Sequence, residues 1–259
     1  MSDPLVLADL GLDGVATLTL NRPAQRNALS AAVLEALDAG LERSARDAAV
    51  RVVVIAAAGS VFSSGHDLRE LRVLDHEATE GLFALCSRVM LRIVRHPKPV
   101  IARVQGTATA AGCQLVASCD LAIAAEGAKF ATPGVNIGLF CTTPMVALSR
   151  AVGRKAALEM LLTGRPIDAH EAARIGLINR AVPLDDLDRA VADLAGEIAA
   201  KSPLVLGIGK EAFQTQRDLP LEEAYAHAGR VMAENMQAHD AAEGINAFLE
   251  KRAPVWRGG

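Results

Sequence analysis

The sequence predicts an α/β fold, because strand-like and helix-like segments alternate along most of the chain. Five short runs have the alternating or continuous apolar pattern of strands, and they cover residues 5–10, 15–20, 51–56, 99–104 and 121–125. The longer segments between them place apolar residues three or four positions apart, which is the helical period. Beyond residue 185 only the helical period continues. We therefore expect an α/β core over residues 1–190 and a helical region over residues 191–259.

The first elements are predicted from their ends and spacing. Residues 30–46 carry apolar side chains at helical spacing, and Ser30 stands where a helix N-cap is expected. The strand at 51–56 runs into the stretch GSVFSSGHDL, whose glycines predict a tight turn. A long helix is predicted for residues 76–95, because Pro97 and Pro99 prevent its continuation into the next strand.

The region after residue 166 predicts mainly helices. Asp168 and Glu171 form a capping-box pattern at the start of a short helix. Four further helices are expected at residues 185–201, 204–216, 221–237 and 240–252.

Composition and charge exclude several classes of protein. The 259 residues are 51% hydrophobic, which suffices for a large core, and a formal net charge of −3 provides no basic surface for nucleic acid. No segment approaches about 20 uninterrupted apolar residues, so no membrane span is expected. The N-terminal stretch lacks the pattern of a signal peptide or a mitochondrial leader, and the four cysteines form no CxxC pair. These observations predict reduced thiols and a cytoplasmic protein.

Several common site motifs are missing from the sequence. No GxGxxG opens a helix after the first strand, and neither GxxxxGK(S/T) nor GxSxG occurs. HExxH and close clusters of His and Cys are also missing. We expect no nucleotide-binding loop, no serine-hydrolase elbow, no metal site and no permanently bound cofactor.

Two turns are candidates for a site that stabilises negative charge. In SSGHDL, Gly65 lets the backbone turn closely past a ligand and leaves amides such as that of His66 free to point outward. In TAAGCQL, small residues precede a helical run, so the amide of Ala111 lies at a helix N-terminus. Two such amides together form an oxyanion hole. The alternative is that both segments are only packing turns.

Several segments in order resemble the crotonase, or enoyl-CoA hydratase/isomerase, superfamily over nearly the whole chain. They are LNRP at 20–23, NAL at 27–29, FSSGHDL at 62–68, HPKPVIARVQG at 96–106, AAGCQLVASCDLAIA at 110–124, AKFATP at 128–133, LLTGRPIDAHEAARIGLINRAVP at 161–183 and FLEKRAPVW at 248–256. SSGHDL, ATAAGCQLVASCD and ATPGVNIGLFCTTP together resemble one subgroup more narrowly. The resemblance implies a crotonase (ClpP-like) spiral of ββα units, a helical C-terminal oligomerisation region, and a homo-trimer or dimer of trimers.

The resemblance also implies an acyl-CoA thioester as substrate, with coenzyme A as part of it. The thioester carbonyl would be held by the backbone amides of His66 and Ala111, which stabilise an enolate-like anion. Two short segments would line the coenzyme A groove, with Arg26 or Arg69 facing phosphate. Their residues are Gln25, Arg26, Ala28, Asp67, Leu68 and Arg69. A surface arginine without a ligand is the alternative for either position.

The two glutamates that a hydratase of this family uses for proton transfer are both replaced. Gln114 stands at the first position and Gly134 at the second, and neither side chain has a titratable proton near neutral pH. Catalysis of ordinary hydration is therefore doubtful, and the case for catalysis of isomerisation is weakened as well.

Other residues are candidates for the missing chemistry. His66 titrates near neutrality but is also a plausible loop-fixing side chain. Cys141 is a nucleophile only if its thiolate is favoured. Asn136, Thr142 and Thr143 are candidates for holding a water or a polar acyl group, although helix capping by one of the threonines is an alternative.

Three functions remain open from the sequence. The first is an enzyme on acyl-CoA, a lyase or isomerase of fatty acid metabolism with an unconventional acid or base. The second is a non-catalytic acyl-CoA-binding or regulatory protein. The third is a structural oligomer with a vestigial groove.

Overall fold

The structure is a computed structural model that describes residues 3–11 and 13–258. The strands in this part of the chain are β1 (Val6–Leu10), β2 (Val15–Leu20), β3 (Val52–Ala57), β4 (Val61–Ser63), β5 (Val100–Val104), β6 (Thr107–Thr109), β7 (Leu121–Ala125), β8 (Lys129–Ala131), β9 (Ile167–Asp168) and β10 (Arg180–Val182). The helices are α1 (Ala31–Arg46), α2 (Leu68–Leu71), α3 (His76–Val94), α4 (Ala111–Ser118), α5 (Thr142–Ala151), α6 (Arg154–Thr163), α7 (Ala169–Arg174), α8 (Leu187–Ala199), α9 (Pro203–Gln216), α10 (Leu221–Asn235) and α11 (His239–Glu250).

The strands form two sheets, and from β3 to β8 successive strands along the chain belong to alternate sheets. One sheet has the order β1-β2-β3-β5-β7-β10, in which only β1 and β2 are antiparallel. The other has the order β4-β6-β8-β9, with β9 antiparallel to β8. Each of the pairs β3–β4, β5–β6 and β7–β8 therefore adds one strand to each sheet before the chain enters helical segments. This repeat is the spiral of ββα units that the family resemblance implies.

The five predicted strands are present within one residue of their expected bounds, and helices α1 and α7 begin at the two caps that the sequence predicts. The Ser30 hydroxyl accepts a hydrogen bond from the Val33 amide, and the Asp168 carboxylate accepts one from the Glu171 amide. The sequence did not predict the strands β4, β6, β8, β9 and β10. Each has only two or three residues, which is too short for a hydrophobic period to be recognised.

The larger sheet is buried on both faces. On one face α1, α3 and α4 pack over side chains such as Leu18, Val53 and Ile55. On the other face α8 covers the alternate side chains of β3, β5 and β7, of which Val54 and Ile101 are fully or nearly fully buried. Burial on both faces explains the unbroken apolar run of β3. Helix α8 also crosses the predicted boundary at residue 190 while packing on the core sheet.

A largely buried lysine holds α9 on the spiral. The Lys210 ammonium donates hydrogen bonds to the carbonyl oxygens of Ile93 (3.0 Å), in the last turn of α3, and Lys98 (3.2 Å), in the loop that follows. It also donates to the Asp120 carboxylate at 2.7 Å, just before β7. The ion pair thus joins the first C-terminal helix to the core, and α9 closes one side of the cavity described below.

The last helices are tied together by one buried carboxylate. Asp240, at the start of α11, accepts hydrogen bonds from the Ser202 hydroxyl (2.6 Å) and the amides of Arg257 (2.8 Å) and Gly258 (3.0 Å). Burial raises the pKa of this carboxyl, but the hydrogen bonds outweigh it and bring the pKa to about 2. None of the described helices is both long enough and apolar enough to cross a membrane.

Candidate active site

The two turns predicted from the sequence lie against each other in the structure. Gly65 has a φ of +86°, which favours glycine. A Cβ on this residue would lie 2.9 Å from the Ala110 Cβ, 3.1 Å from the Thr109 oxygen and 3.2 Å from the Ala111 nitrogen. The backbone before His66 therefore touches the N-terminus of α4, and only a residue without a side chain permits this approach.

Neither candidate amide is used within the fold. Among residues 3–11 and 13–258, the N–H groups of His66 and Ala111 donate no hydrogen bond. Ala111 is the first residue of α4, where helical N–H groups have no partner in their own helix. The adjoining helix N-terminus also carries a partial positive charge. The site thus presents two unpaired donors on touching segments.

The turn before α4 is strained. Ala110 has φ 50° and ψ −119°, a combination that L-residues seldom adopt, and this costs about 1–3 kcal/mol. Two hydrogen bonds hold the residue there: its amide donates to the Ala131 carbonyl, and its carbonyl accepts from the Gln114 amide. Close packing adds a restraint, because a Cβ on Gly112 would lie 2.5 Å from the Ser63 oxygen. The second sheet and α4 together determine where the Ala111 amide lies.

The segment with the first predicted groove residues is held by a buried asparagine that the sequence did not single out. Asn27 has a φ of 50° and is 1% exposed, and its side-chain amide donates to the carbonyl oxygens of Ala58 (2.8 Å) and Val61 (2.7 Å). Around it, Gln25 and Arg26 are exposed and Ala28 is buried. Asparagine tolerates the left-handed conformation better than most residues, so an asparagine in this turn is the feature from which the sequence could have identified it.

The second groove segment follows His66 directly. Leu68 and Arg69 are exposed on α2, whereas the Asp67 carboxylate accepts a hydrogen bond from the Arg69 amide and so caps this helix. The same carboxylate lies 3.7 Å from the Arg22 guanidinium. The Ser64 amide donates to the Arg26 carbonyl at 3.0 Å, so the two segments are neighbours, and Asp67 joins the second to the chain just before the first.

The side chain of His66 is packed inside the protein. Its Nδ1 atom lies 3.2 Å from the Leu29 carbonyl oxygen, and its ring meets the Phe83 ring edge-on at 5.2 Å. Its Nε2 atom is buried and has no hydrogen-bond partner among the described residues. Burial lowers the pKa of the imidazole, although the Leu29 carbonyl and the Glu70 carboxylate both raise it. Phe83 was not identified from the sequence.

Gln114, one helical turn beyond Ala110 in α4, lines a cavity of about 850 Å³. The residue is 4% exposed, and its side-chain oxygen is buried without a hydrogen-bond partner in the described structure. The cavity is bounded by α3, α4, α5 and α9, with Met90, Val94 and Val146 among its apolar lining. A buried amide at the edge of a mainly apolar cavity can orient a ligand but cannot exchange a proton with it.

The second expected glutamate position has no space for a side chain. Gly134 is buried in a 3₁₀ turn, and a Cβ there would lie 2.7 Å from the Leu139 carbonyl oxygen and 2.9 Å from the Cys141 sulfur. Its φ is not in the positive range, so close approach, not backbone freedom, requires glycine. The site thus has neither glutamate, and it lacks the volume for one of them.

The remaining sequence candidates are dispersed. Burial raises the pKa of the Cys141 thiol, so the group is protonated at neutral pH and the nucleophile hypothesis loses support. Asn136 is exposed and lies against Gly164. Thr142 is exposed at the start of α5, whereas its neighbour Thr143 lines the cavity with Gln114. No three His, Cys, Asp or Glu side chains in the described part of the chain are placed to hold a metal ion.

Comparison with known proteins decides the family. Residues 11–259 match the family Enoyl-CoA hydratase/isomerase. The chain belongs to this family. A rat relative named enoyl-CoA hydratase domain-containing protein 3, mitochondrial, is 48% identical over 256 residues, which are 98% of this chain and 85% of the relative.

Solved structures of the family confirm the crotonase fold. A crystal structure of an enoyl-CoA hydratase from Mycobacterium smegmatis has a TM-score of 0.96 and 53% identity, covering 98% of this chain and 99% of that chain. The crystal structure of human enoyl-CoA hydratase domain-containing protein 3 has a TM-score of 0.94 and 48% identity, and the match covers 97% of this chain and 100% of that chain. The narrower subgroup resemblance in the sequence is to proteins of this latter name, and it is confirmed.

The expected cytoplasmic location is wrong. The relatives from rat, mouse and human are all named mitochondrial, which contradicts it. The expectation depended on unpaired cysteines, which distinguish an oxidising from a reducing compartment and do not identify an organelle. It also depended on an N-terminal stretch of which residues 1, 2 and 12 lie outside the described structure.

Proposed function

We propose that this protein binds an acyl-CoA thioester and polarises its carbonyl group between the backbone N–H groups of His66 and Ala111. The observation that carries the proposal is the contact between two turns that each present an unpaired amide. Family membership supports a thioester as the carbonyl ligand.

The chemistry of this pair follows from its rigidity. Gly65 and Ala110 hold both amides in place before any ligand arrives, so no reorganisation is needed when negative charge develops on the thioester oxygen. One donor of this kind is typically worth about 10²–10³ in rate. The pair therefore favours reactions that pass through an enolate-like anion.

The proposal gives each end of the ligand its own surroundings. The acyl group extends toward the mainly apolar cavity beside Gln114, and coenzyme A lies along the two neighbouring segments at 25–28 and 67–69. Arg26 and Arg69, both exposed on these segments, face its phosphates. No other cofactor is needed.

Hydration by the usual route is slow in this proposal. Gln114 cannot take up a proton, and a second carboxylate at position 134 would first have to displace the Leu139 carbonyl and the Cys141 sulfur. Loss of a positioned acid or base removes about 10²–10⁴ in rate for each group. The absence of both glutamates, at Gln114 and Gly134, also favours the second candidate function, a non-catalytic acyl-CoA-binding or regulatory protein.

Two measurements test the proposal and separate the candidates. Calorimetry with butyryl-CoA and with free coenzyme A measures the contribution of the thioester. His66→Ala keeps its backbone amide and should bind butyryl-CoA almost as wild type does. Ala111→Pro removes one of the two donors and should bind butyryl-CoA more weakly, and the first position of a helix tolerates proline. If wild type binds butyryl-CoA no better than coenzyme A, the proposal fails. An absorbance assay with crotonyl-CoA then separates an enzyme from a binding protein.

We also propose that the chain assembles as a homo-trimer or a dimer of trimers through its C-terminal helices. Helix α10 has no buried residue, and Tyr225 and Met232 on it are 75% and 65% exposed. Phe248 and Leu249 on α11 are 82% and 72% exposed. Apolar surface of this kind is typical of interaction sites. A monodisperse monomer at micromolar concentration in light scattering would contradict the assembly.

A further inference from the structure

The imidazole of His66 is a polar group at the proposed site that the binding of a thioester does not use. Its Nδ1 atom lies 3.2 Å from the carbonyl oxygen of Leu29, and a carbonyl oxygen only accepts hydrogen bonds. Nδ1 therefore carries the ring proton, and Nε2 of the neutral ring has a free lone pair. The structure thus selects the tautomer in which Nε2 is the basic atom.

The orientation of this lone pair is fixed by packing. The Phe83 ring meets the imidazole edge-on at 5.2 Å with an interplanar angle of 88°. Nε2 is buried and unpartnered among the described residues. A buried acceptor without a partner is costly, and such groups in a folded protein need an explanation. A ligand that donates or loses a proton at this position supplies one.

The surroundings keep the ring neutral. Three segments contribute the groups that act on it: the Leu29 carbonyl from the loop before α1, Glu70 from α2, and the Phe83 ring from α3. Burial has the largest effect and lowers the pKa, while the carbonyl and Glu70 raise it. An imidazole that is neutral at pH 7 can accept a proton.

We propose that Nε2 of His66 is the base that removes a proton from the α-carbon of the bound acyl group. This inference rests on the proposed binding mode, because the backbone amide of the same residue is one of the two donors to the thioester oxygen. The basic nitrogen therefore lies within one side chain's length of the carbonyl that it would serve. It takes the role that Gln114 and Gly134 cannot fill.

The proposed step balances without a further reactant. The Nε2 lone pair forms an N–H bond with the α-proton, and the electrons of the C–H bond form the carbon–carbon double bond of an enolate. The carbonyl π electrons move to the thioester oxygen, where the amides of His66 and Ala111 hold the negative charge. The imidazolium returns a proton to the α-carbon, and deuterium enters from D₂O when the ring moves out of its buried position far enough for the Nε2 proton to exchange with solvent. The substrates are acyl-CoA thioesters with a hydrogen at this carbon.

Hydrogen exchange in D₂O tests this step directly. Wild-type protein is incubated with butyryl-CoA, and deuterium at the α-carbon is measured by mass spectrometry after correction for exchange without protein. His66→Phe keeps the ring packing and the backbone amide but has no basic atom, and His66→Gln is a second variant with a polar side chain. His227→Phe is the matched control, because His227 also has a buried unpartnered Nε2 but lies on α10.

The inference predicts a loss of exchange separate from a loss of binding. Both His66 variants should exchange at least about 100-fold more slowly than wild type while calorimetry still detects butyryl-CoA binding, and His227→Phe should behave as wild type. Undiminished exchange in a folded His66 variant would overturn the inference. Wild type that binds butyryl-CoA without exchange would overturn it as well and leave the proposed function intact. Wild type that does not bind the thioester would overturn both.

Discussion

Replacement of Gly65 by alanine should damage the site through a single methyl group. The new Cβ would lie 2.9 Å from the Ala110 Cβ, 3.1 Å from the Thr109 oxygen and 3.2 Å from the Ala111 nitrogen. The backbone cannot move away freely, since the Gly65 carbonyl accepts a hydrogen bond from the Leu29 amide at 2.8 Å. The two turns must therefore separate, and the amides of His66 and Ala111 no longer converge.

A matched substitution isolates this effect. Gly138 has a φ of +77°, close to the +86° of Gly65, but a Cβ on Gly138 meets nothing within 4 Å. Both alanine variants incur a backbone penalty of about 1–3 kcal/mol, and only Gly65→Ala adds the collision. If two hydrogen bonds to the thioester oxygen are lost, each worth about 0.5–1.5 kcal/mol, the dissociation constant rises roughly 5- to 160-fold.

Urea unfolding and calorimetry with butyryl-CoA measure the two consequences. We expect Gly65→Ala to be less stable than Gly138→Ala and to bind butyryl-CoA more weakly by the factor above, with Gly138→Ala binding as wild type. If folded Gly65→Ala binds the thioester as tightly as Gly138→Ala, the carbonyl is not held between these turns and the reasoning is wrong.

Three further variants test other parts of the structure. Gln114→Glu/Gly134→Glu should lose about 1–3 kcal/mol of stability in urea, because the added side chain at 134 meets a carbonyl oxygen 2.7 Å away. In the folded fraction, crotonyl-CoA hydration should rise more than about tenfold, and a wild-type kcat/KM already above about 10⁴ M⁻¹s⁻¹ would contradict the assigned defect. Lys210→Met leaves Asp120 buried without its cation and should cost about 3–5 kcal/mol in urea unfolding, whereas a change below 1 kcal/mol would show that α9 is held by other contacts. Asp240→Asn should be less stable than wild type at pH 5–7. The difference in stability should shrink as pH falls from 3.8 toward about 2, because protonation then removes the same charge in wild type. A difference that does not depend on pH would refute the role of the carboxylate.

The compartment and the chemistry illustrate two limits of sequence reasoning. Unpaired cysteines correctly predicted free thiols, and Cys86, Cys113, Cys119 and Cys141 are all unpaired in the structure. They did not reveal an organelle, because reducing conditions are not unique to one compartment. Gly134 was recognised as a missing glutamate, but the sequence did not show why glycine is required there: the constraint is contact with Leu139 and Cys141, which lie five and seven residues away in sequence.

The sequence by itself determined the elements that are long enough to carry a period or a cap. The apolar run of β3, the N-cap Ser30 of α1 and the stop at Pro97 and Pro99 are local features, so the large sheet and the main helices were predictable. The small residues around Gly65 and Ala111 likewise marked the two turns.

Only the tertiary structure decided what those turns form together. The contact between them depends on β4, β6 and β8, strands of three residues whose pairing joins segments more than 20 residues apart. The strained backbone of Ala110, the cavity beside Gln114 and the ring of Phe83 against His66 arise from the same long-range packing. Such features have no local signal, because each residue's conformation there is set by partners distant in the chain.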